Sequence, residues 1–387
     1  RTAPSFIRLG KVQRCTITYG GDPLLSCGII GLPLCGKTTI FNVITKAGAE
    51  VKPYASGRVD PNRAIVPVPD KRLDRLAKVF DPRRVVPATV EFVDLAGIAR
   101  DASKGAGLGV SFLSFVEKSD ALIHVLRAFR DPNVPHPEGR IDPAEDWEIV
   151  EMELILRDLS ACENRIKGLR GKKRLQPEDE SELALLERCR AHLLEGHPLR
   201  EESFAPEEEK RLKGFSFLTS KPELLALNLD EDQAKDDLIP GCDRLYDLTS
   251  RRSLELVKVY GRLEMEMAEL SPEEESEFAK SAGIEELGRE RLIRSAYRIL
   301  RLISFFTVGK DEVRAWTIRD GSTAVEAAGA IHTDMAKGFI RAEVVHYEDF
   351  AAHDFSKQRC REKGLLRLEG RDYVIRDGDI IEIRFNV

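Results

Sequence analysis

No apolar run in these 387 residues reaches the ~18–20 that a membrane-spanning helix needs, so no membrane span is expected. Cysteine is sparse and unpatterned: Cys15, Cys27, Cys35, Cys162, Cys189, Cys242 and Cys360 form no C-x-x-C pair, and their number is odd. That excludes a disulfide framework and a cysteine-based zinc site, and points to reduced thiols in a reducing, cytoplasmic-type compartment. A basic surplus is also missing. Sixty Lys and Arg stand against 66 Asp and Glu, a formal net charge of −6, which excludes a uniformly basic nucleic-acid coat and makes a DNA partner unexpected, while leaving local basic patches open. Tandem repeats are absent. So is any acid within residues 1–21, where Arg8, Lys11 and Arg14 are basic and Ser5, Thr16 and Thr18 carry hydroxyls. Residues 1–23 read as an N-terminal extension: a cloning scar or an upstream segment first, an organelle transit remnant next. No apolar core there indicates a secretory signal.

What is present is enough apolar residue (42%) to bury sizeable cores and enough charge (33%) for exposed helical faces, at a length that suits roughly two or three domains. Leu24 to Ile30 is a short apolar run rich in branched residues that stops at Gly31 and reads as a buried strand. Thr38 to Lys46 has helical spacing, with Gly48 as its stop. Residues 51–70 read as loop with short extended pieces. Ala88 to Leu95 and Ala121 to Phe129 are two further strands, separated by a glycine-studded loop from Gly97 to Gly109. This order predicts a doubly wound α/β domain. Glu148 to Leu169 and Glu180 to Leu194 then place apolar residues three or four apart around a turn at Gly171–Pro177, the pattern of an antiparallel helical hairpin inserted in that domain. Strands resume at Leu224–Leu229 and Leu254–Val259, and a helix is predicted over Glu285–Ile303. The rest reads as a separate, β-rich unit, with strands at Glu312–Ile318, Ile340–His346, Tyr373–Ile375 and Ile380–Phe385 and a helix over Ser322–Ala336.

The sharpest motif is Gly31-Leu-Pro-Leu-Cys-Gly36-Lys37-Thr38, a match to G-x-x-x-x-G-K-[ST] lying between a strand and a helix. Its glycines let successive backbone N–H groups curl toward phosphate oxygens, and the helix N-terminus adds partial positive charge. Lys37 supplies a full charge, catalytic in its effect on the β/γ-phosphates, and the Thr38 hydroxyl is placed to ligate Mg²⁺. A second motif, Val93-Asp94-Leu-Ala-Gly97, ends an apolar strand. Its Asp94 carboxylate would hold Mg²⁺ through water, and the Gly97 N–H would meet the γ-phosphate. Ile98 follows, where many Ras-like GTPases carry a water-orienting Gln. Hydrolysis is then slow, or another group, a partner or a cation positions the water. The third motif is the base loop. In place of N-K-x-D the chain reads Asn228-Leu229-Asp230-Glu231, which weakens guanine selectivity and admits adenine. The candidate nucleotide-binding set is therefore Leu32, Pro33, Leu34, Cys35, Gly36, Lys37, Thr38, Thr39, Gly97, Asn228, Leu229 and Glu231, with Thr38 and Asp94 for the metal.

Together these sites resemble the YchF family of Obg-related ATPases, over roughly Cys27 to Val387. Matching stretches include Val59-Asp-Pro-Asn62, Val66-Pro-Val-Pro-Asp70, Ser103-Lys-Gly-Ala-Gly-Leu-Gly109, Phe217-Leu-Thr-Ser-Lys-Pro222, Glu312-Val-Arg-Ala-Trp-Thr-Ile318 and Ala327-Ala-Gly-Ala-Ile-His-Thr-Asp334. The resemblance implies a P-loop G-domain (24–140 and 215–303), a helical coiled-coil insertion (141–214) and a C-terminal β-grasp or TGS domain (304–387). It implies ATP hydrolysis in preference to GTP, and association with the ribosome or ribosomal RNA. Leu229 matches the position whose backbone reads adenine. His124 matches a histidine proposed to replace the missing Gln, with a packed core histidine as the alternative reading. The chain departs from the family pattern at three places. Leu34 stands where an Asn helps hold a monovalent cation. Cys35 puts a thiol, redox-sensitive or merely a buried filler, beside the phosphates. Arg58 stands where a switch Thr ligates Mg²⁺, leaving Ser56 to substitute as the ligand after a loop shift, or Arg58 itself to approach the γ-phosphate. Arg170, Lys172, Lys173 and Arg174 cluster at the hairpin tip, either as RNA-phosphate contacts or as a solvated turn. An Obg-class GTPase and a non-hydrolysing nucleotide-dependent module remain as alternatives.

Overall fold

The structure, a computed structural model, describes residues 25–46, 50–52, 62–94, 116–235, 239 and 241–386. Its strands are β1 (Ser26–Ile30), β2 (Glu50–Lys52), β3 (Asn62–Pro67), β4 (Arg84–Val86), β5 (Thr89–Asp94), β6 (Ala121–Arg127), β7 (Glu223–Asn228), β8 (Glu255–Val259), β9 (Leu302–Val308), β10 (Glu312–Arg319), β11 (Phe339–His346), β12 (Arg367–Glu369) and β13 (Asp379–Phe385). The helices that matter below are α1 (Lys37–Lys46), α2 (Lys71–Phe80), α3 (Pro143–Arg170), α4 (Pro177–Leu194), α5 (Asp243–Arg252), α6 (Gly261–Met267), α7 (Gly288–Ile299), α8 (Ala324–Ile331) and α9 (Thr333–Lys337). Among the described residues, no helix is long and apolar enough to cross a membrane.

A seven-stranded sheet has the order β2-β3-β5-β1-β6-β7-β8. From β5 to β8 its strands run parallel, and β2 and β3 add an antiparallel edge. The chain has the α/β, mostly parallel architecture that its motif order predicts. β1, β6 and β7 are buried at every residue, which is why their sequences are continuous apolar runs without alternation. On one face, α1 and α7 pack Ile40, Phe41, Leu292, Ile293 and Ala296 against Ile29, Ile123 and Ala226. On the other, α3 and α5 bring Trp147 and Leu245 to Leu126, Leu225 and Leu227.

α3 is capped by Asp142, whose side chain accepts from the N–H of Ala144 and Glu145, with Pro143 at the first helical position. This cap starts the helix five residues before the predicted Glu148. At ~1.5 Å per residue α3 is about 42 Å long. Its first half lies on the sheet through Val150 and Leu154, which meet Ile30, Leu32, Val93 and Leu122. Its second half leaves with α4 as an antiparallel hairpin sealed by Ile155, Cys162, Ile166, Leu169, Leu185, Leu186, Cys189 and Leu193. Ion pairs Arg165–Glu182, Arg170–Glu187 and Lys172–Asp179 fix its register.

The second sheet has six strands in the order β12-β11-β13-β9-β10-β4. The expected helix to Ile303 stops at Ile299, and the apolar run from Leu302 pairs as β9, so the division expected at residue 304 falls inside a strand. β4 comes from the first part of the chain and pairs parallel with β10, Arg84 opposite Glu312. One hydrophobic core serves both sheets, joining Ile29 and Phe41 to Phe306, Val313 and Ile380. Arg72, at the start of α2, forks between Asp70 and Asp377 and lies over the Phe306 ring. The helix expected over 322–336 forms as α8 and α9, broken at His332, whose extended backbone lets its side chain accept from the Asp334 N–H. Tyr373–Ile375 contributes one bridge, Thr323 to Val374, and no strand.

Candidate nucleotide site

β1 delivers the chain into a bend from Gly31 to Gly36 that opens α1. Both glycines are required. Gly31 has φ +142° and Gly36 φ +99°, and a Cβ would strike the Val125 carbonyl oxygen at the first and the Asn228 side-chain amide at the second. Leu34 lies between them at φ +62°, a left-handed placement strained for leucine, with its side chain 53% exposed. Leu32 is buried, and Pro33 and Thr38 are exposed. Lys37 is buried, and its Nζ donates to the carbonyls of Gly31 (2.9 Å) and Leu32 (2.6 Å). Among the described residues the ammonium is thus held inside the bend by neutral acceptors. Cys35 is buried with Sγ 4.0 Å from Lys37 Nζ, and burial raises its pKa in spite of that ammonium. The thiol is a protonated filler, not a reactive thiolate.

Thr38 Oγ1 donates to Asp94 Oδ2 at 3.3 Å, and Asp94 is buried at the end of β5. A hydroxyl and a carboxylate side by side form a hard-oxygen pair of the kind that suits Mg²⁺. Among the described residues no three His, Cys, Asp or Glu form a metal cluster. Mg²⁺ does not require one, because it keeps waters and substrate phosphates as its other ligands.

On the base side, Asn228 ends β7 and ties three loops together. Its Nδ2 donates to Cys35 O (3.1 Å), its Oδ1 accepts from the Gly261 N–H (3.3 Å), and its carbonyl accepts from Ala128 N and Phe129 N. Leu229 is buried and spends its N–H on Val259 O. Glu231 is exposed at the start of a short 3₁₀ turn, and Asp230 accepts from the Arg130 N–H at 2.6 Å. Thr39 is half-buried, its methyl against the position a Gly261 Cβ would take.

His124 is not part of this arrangement. It is fully buried on β6 beneath α3, with Nδ1 2.9 Å from Glu223 Oε1. A residue with no solvent-accessible atom does not position an attacking water, so the catalytic expectation for His124 gives way to the packed one. Ser56, Arg58, Gly97 and Ile98 lie outside the described residues, as do the segments 54–61 and 97–109.

Sequence reasoning missed Gly261, Phe129 and His136. The Gly261 N–H secures Asn228. The Phe129 ring lies 3.8 Å from the Cβ direction of Gly36 and carries the Arg127 guanidinium 4.2 Å above it. His136 holds Asp146 through Nε2 (3.0 Å) and accepts from the Glu138 N–H through Nδ1. Burial raises the Asp146 pKa, and its charge is felt at Cys35. Nothing in the sequence marks these residues: Phe129 and Gly261 reach Asn228 because β6 and β8 flank β7, and His136 meets Asp146 only across the loop that leads into α3. At the hairpin tip Arg170 and Lys172 are engaged by Glu187 and Asp179, leaving Lys173 and Arg174 as exposed charges.

Residues 26–158 match the MMR_HSR1 family, described as 50S ribosome-binding GTPase, and residues 302–386 match YchF-GTPase_C, described as a protein of unknown function. The chain is 44% identical to the "Ribosome-binding ATPase YchF" of Haemophilus ducreyi over 362 residues, 93% of this chain and 99% of that protein. It is 42% identical to the protein of the same name from Bacillus subtilis, covering 94% and 100%. A solved structure of the Schizosaccharomyces pombe YchF GTPase superposes with a TM-score of 0.85 at 32% identity, over 95% of this chain and all of that one.

Proposed function

We propose a function from one premise: this chain belongs to the YchF family. It binds ATP in the bend between β1 and α1, hydrolyses it slowly, and uses the bound state to govern its association with the ribosome. The observation that carries the reading is the Lys37 ammonium resting on Gly31 O and Leu32 O. Two neutral carbonyls are weaker partners than a polyphosphate, so the charge is available to the β/γ-oxygens without a residue having to be expelled. Thr38 and Asp94 would hold Mg²⁺, which neutralises charge developing on the phosphates. The backbone N–H groups of Leu32 and of residues 34–39, at the start of α1, add donors.

For adenine, support comes from the loop Asn228-Leu229-Asp230-Glu231. Asn228 is consumed in holding Cys35 and Gly261, the position that carries Lys in guanine-binding loops holds the buried Leu229, and Asp230 already accepts from Arg130. The loop therefore offers no free carboxylate where guanine N1–H and N2–H₂ need one, apart from the exposed Glu231. Phe129 offers an aromatic face beside the bend, suited to stacking on either purine. Gly97, in the same reading, meets the γ-phosphate, and His124 positions the sheet beneath α3. The cytoplasm is the proposed location.

Competitive titration of the purified chain with ATP and GTP in magnesium buffer tests the reading. Tighter ATP binding is expected, and tighter GTP binding would overturn the adenine assignment. A GTPase reading draws on the S. pombe relative's description as a GTPase, and the same titration separates the two. Phosphate release in a single turnover, above that of Lys37→Ala, separates either from a non-hydrolysing module.

A further inference from the structure

Beneath α3, four ionisable side chains are packed together out of water. Glu151 comes from α3, Arg200 from the 3₁₀ turn Leu199–Glu201 at the foot of the hairpin, Glu223 from the start of β7 and His124 from β6. Glu151 and Glu223 are 3% and 5% exposed, and His124 is wholly buried. Two of the four belong to the sheet-packed half of α3 and the turn at the foot of the hairpin, and two to the nucleotide sheet.

The two carboxylates are not held alike. Glu223 receives His124 Nδ1 at 2.9 Å, Trp147 Nε1 at 3.2 Å and Arg200 Nη2 at 2.5 Å. Glu151 has the same Arg200 Nη2 at 2.7 Å from Oε2 as an ion contact, and among the described residues neither of its oxygens has a well-formed hydrogen-bond donor. Arg200 Nε is buried with no partner among the described residues. The nearby Arg252, on α5, is committed elsewhere: it bonds Glu201 and lies 5.1 Å over the Trp147 ring. The cluster therefore contains two acids, one permanent cation and one imidazole, and it is neutral only with one proton beyond those of Arg200 and a neutral histidine. That proton does not belong on the imidazole. Nδ1–H already donates to Glu223, and Nε2 has no hydrogen-bond partner among the described residues, so a second hydrogen there would be a buried cationic donor with no acceptor. Glu151 is the remaining seat.

We propose that Glu151, Arg200, Glu223 and His124 form a latch that holds one exchangeable proton and, by keeping or releasing it, sets how firmly the helical hairpin is seated on the nucleotide sheet. Electrostatics agree with the geometry. Burial drives the Glu151 carboxyl up to about 7 against the pull of Arg200, and the charge of Glu223 adds to the rise. Glu223 also suffers burial, but Arg200, His124 and Trp147 outweigh it and hold that carboxyl low, at about 2. The sign follows from linkage. A carboxyl raised in the seated state takes up a proton on seating, so the contribution is complete below the ordinary glutamate range and is lost as pH rises through about 7. The latch depends on the hairpin and the sheet, and not on which nucleotide the bend accepts.

The test is hydrogen exchange of the intact chain without nucleotide, followed by mass spectrometry between pH 5.5 and 8.5 and compared at each pH with Glu151→Gln, a side chain that cannot ionise. Relative to that variant, protection at the foot of α3 and at residues 199–201 is expected to fall about tenfold across the interval. Wild type and variant running in parallel would overturn the proposal. Should Glu151→Gln not fold, infrared difference spectra of the wild-type chain over the same range decide: a buried protonated-carboxyl band that disappears through neutrality is expected, and its absence below pH 6 sinks the latch.

Discussion

Lys37 and Arg200 are both cations nearly closed off from water, and the molecule treats them in opposite ways. Lys37 rests on two backbone carbonyls. Arg200 is gripped by two acidic side chains, Glu151 and Glu223. Neutral backbone acceptors hold a charge in position without neutralising it, so an incoming anion finds it available. An ionised carboxylate such as Glu223 neutralises the charge and locks it. The first arrangement belongs to a site waiting for a ligand, and the second to a brace between a sheet and the arm packed on it. Burial of a charge by itself therefore says little about function; the identity of its partners decides.

The comparison breaks first at Arg200. Arg200→Met leaves two buried acids facing each other, and a loss of about 3–5 kcal/mol in urea unfolding is expected, with ATP affinity little changed in the fraction that stays folded. Lys37→Ala should do the reverse: ATP affinity falls about a hundredfold by calorimetric titration, while the unfolding midpoint hardly moves, because only two carbonyls lose a partner. If Lys37→Ala instead unfolds the chain, the ammonium is a brace after all. Asn228→Ala sits between the two, since that side chain serves both the bend and the Gly261 loop. It should cost about 1–2 kcal/mol in unfolding and weaken ATP roughly tenfold. The smallest effect is expected at Leu34. Asn tolerates the left-handed backbone better than Leu, so Leu34→Asn should stabilise the chain by about 0.5 kcal/mol in the same unfolding assay.

The two cations also differ in how legible they are. Lys37 is readable because everything it works with is contiguous: a strand, two glycines at fixed spacing and a helix start, all within residues 26–46. Asp94 is readable as the acid ending the next apolar strand, and Asn228 as the polar residue ending a later one. The brace is not readable. Glu151 and Arg200 each look like ordinary surface charge on a polar stretch, and only the pairing of β6 with β7, Leu122 opposite Glu223, sets His124 beside Glu223 beneath α3. The same limit applies to the fold. β1, β6 and β7 announce themselves as apolar runs, and the hairpin by its spacing. The sequence carries the preceding helix on into the first two residues of β9 because Leu302 and Ile303 continue its apolar stretch with no intervening Pro or Gly. The start of α2 has a cap in Asp70, which accepts from the Arg72 N–H, but Asp70 also reads as the end of the loop over 51–70. β4, three residues long, has no local signal at all; it is a strand because β10 lies beside it.

That last pairing bears on how the polypeptide is made. Arg84 finds its partner at Glu312, so during synthesis β4 leaves the ribosome more than two hundred residues ahead of the strand that completes it. At ~5–20 residues per second the gap is on the order of ten to fifty seconds. Throughout that interval residues 84–86 lack the strand they pair with, and the core beside them is still missing Phe306, Val313 and Ile380. Chaperone occupancy during translation should therefore concentrate on this window and end when residues 302–319 emerge.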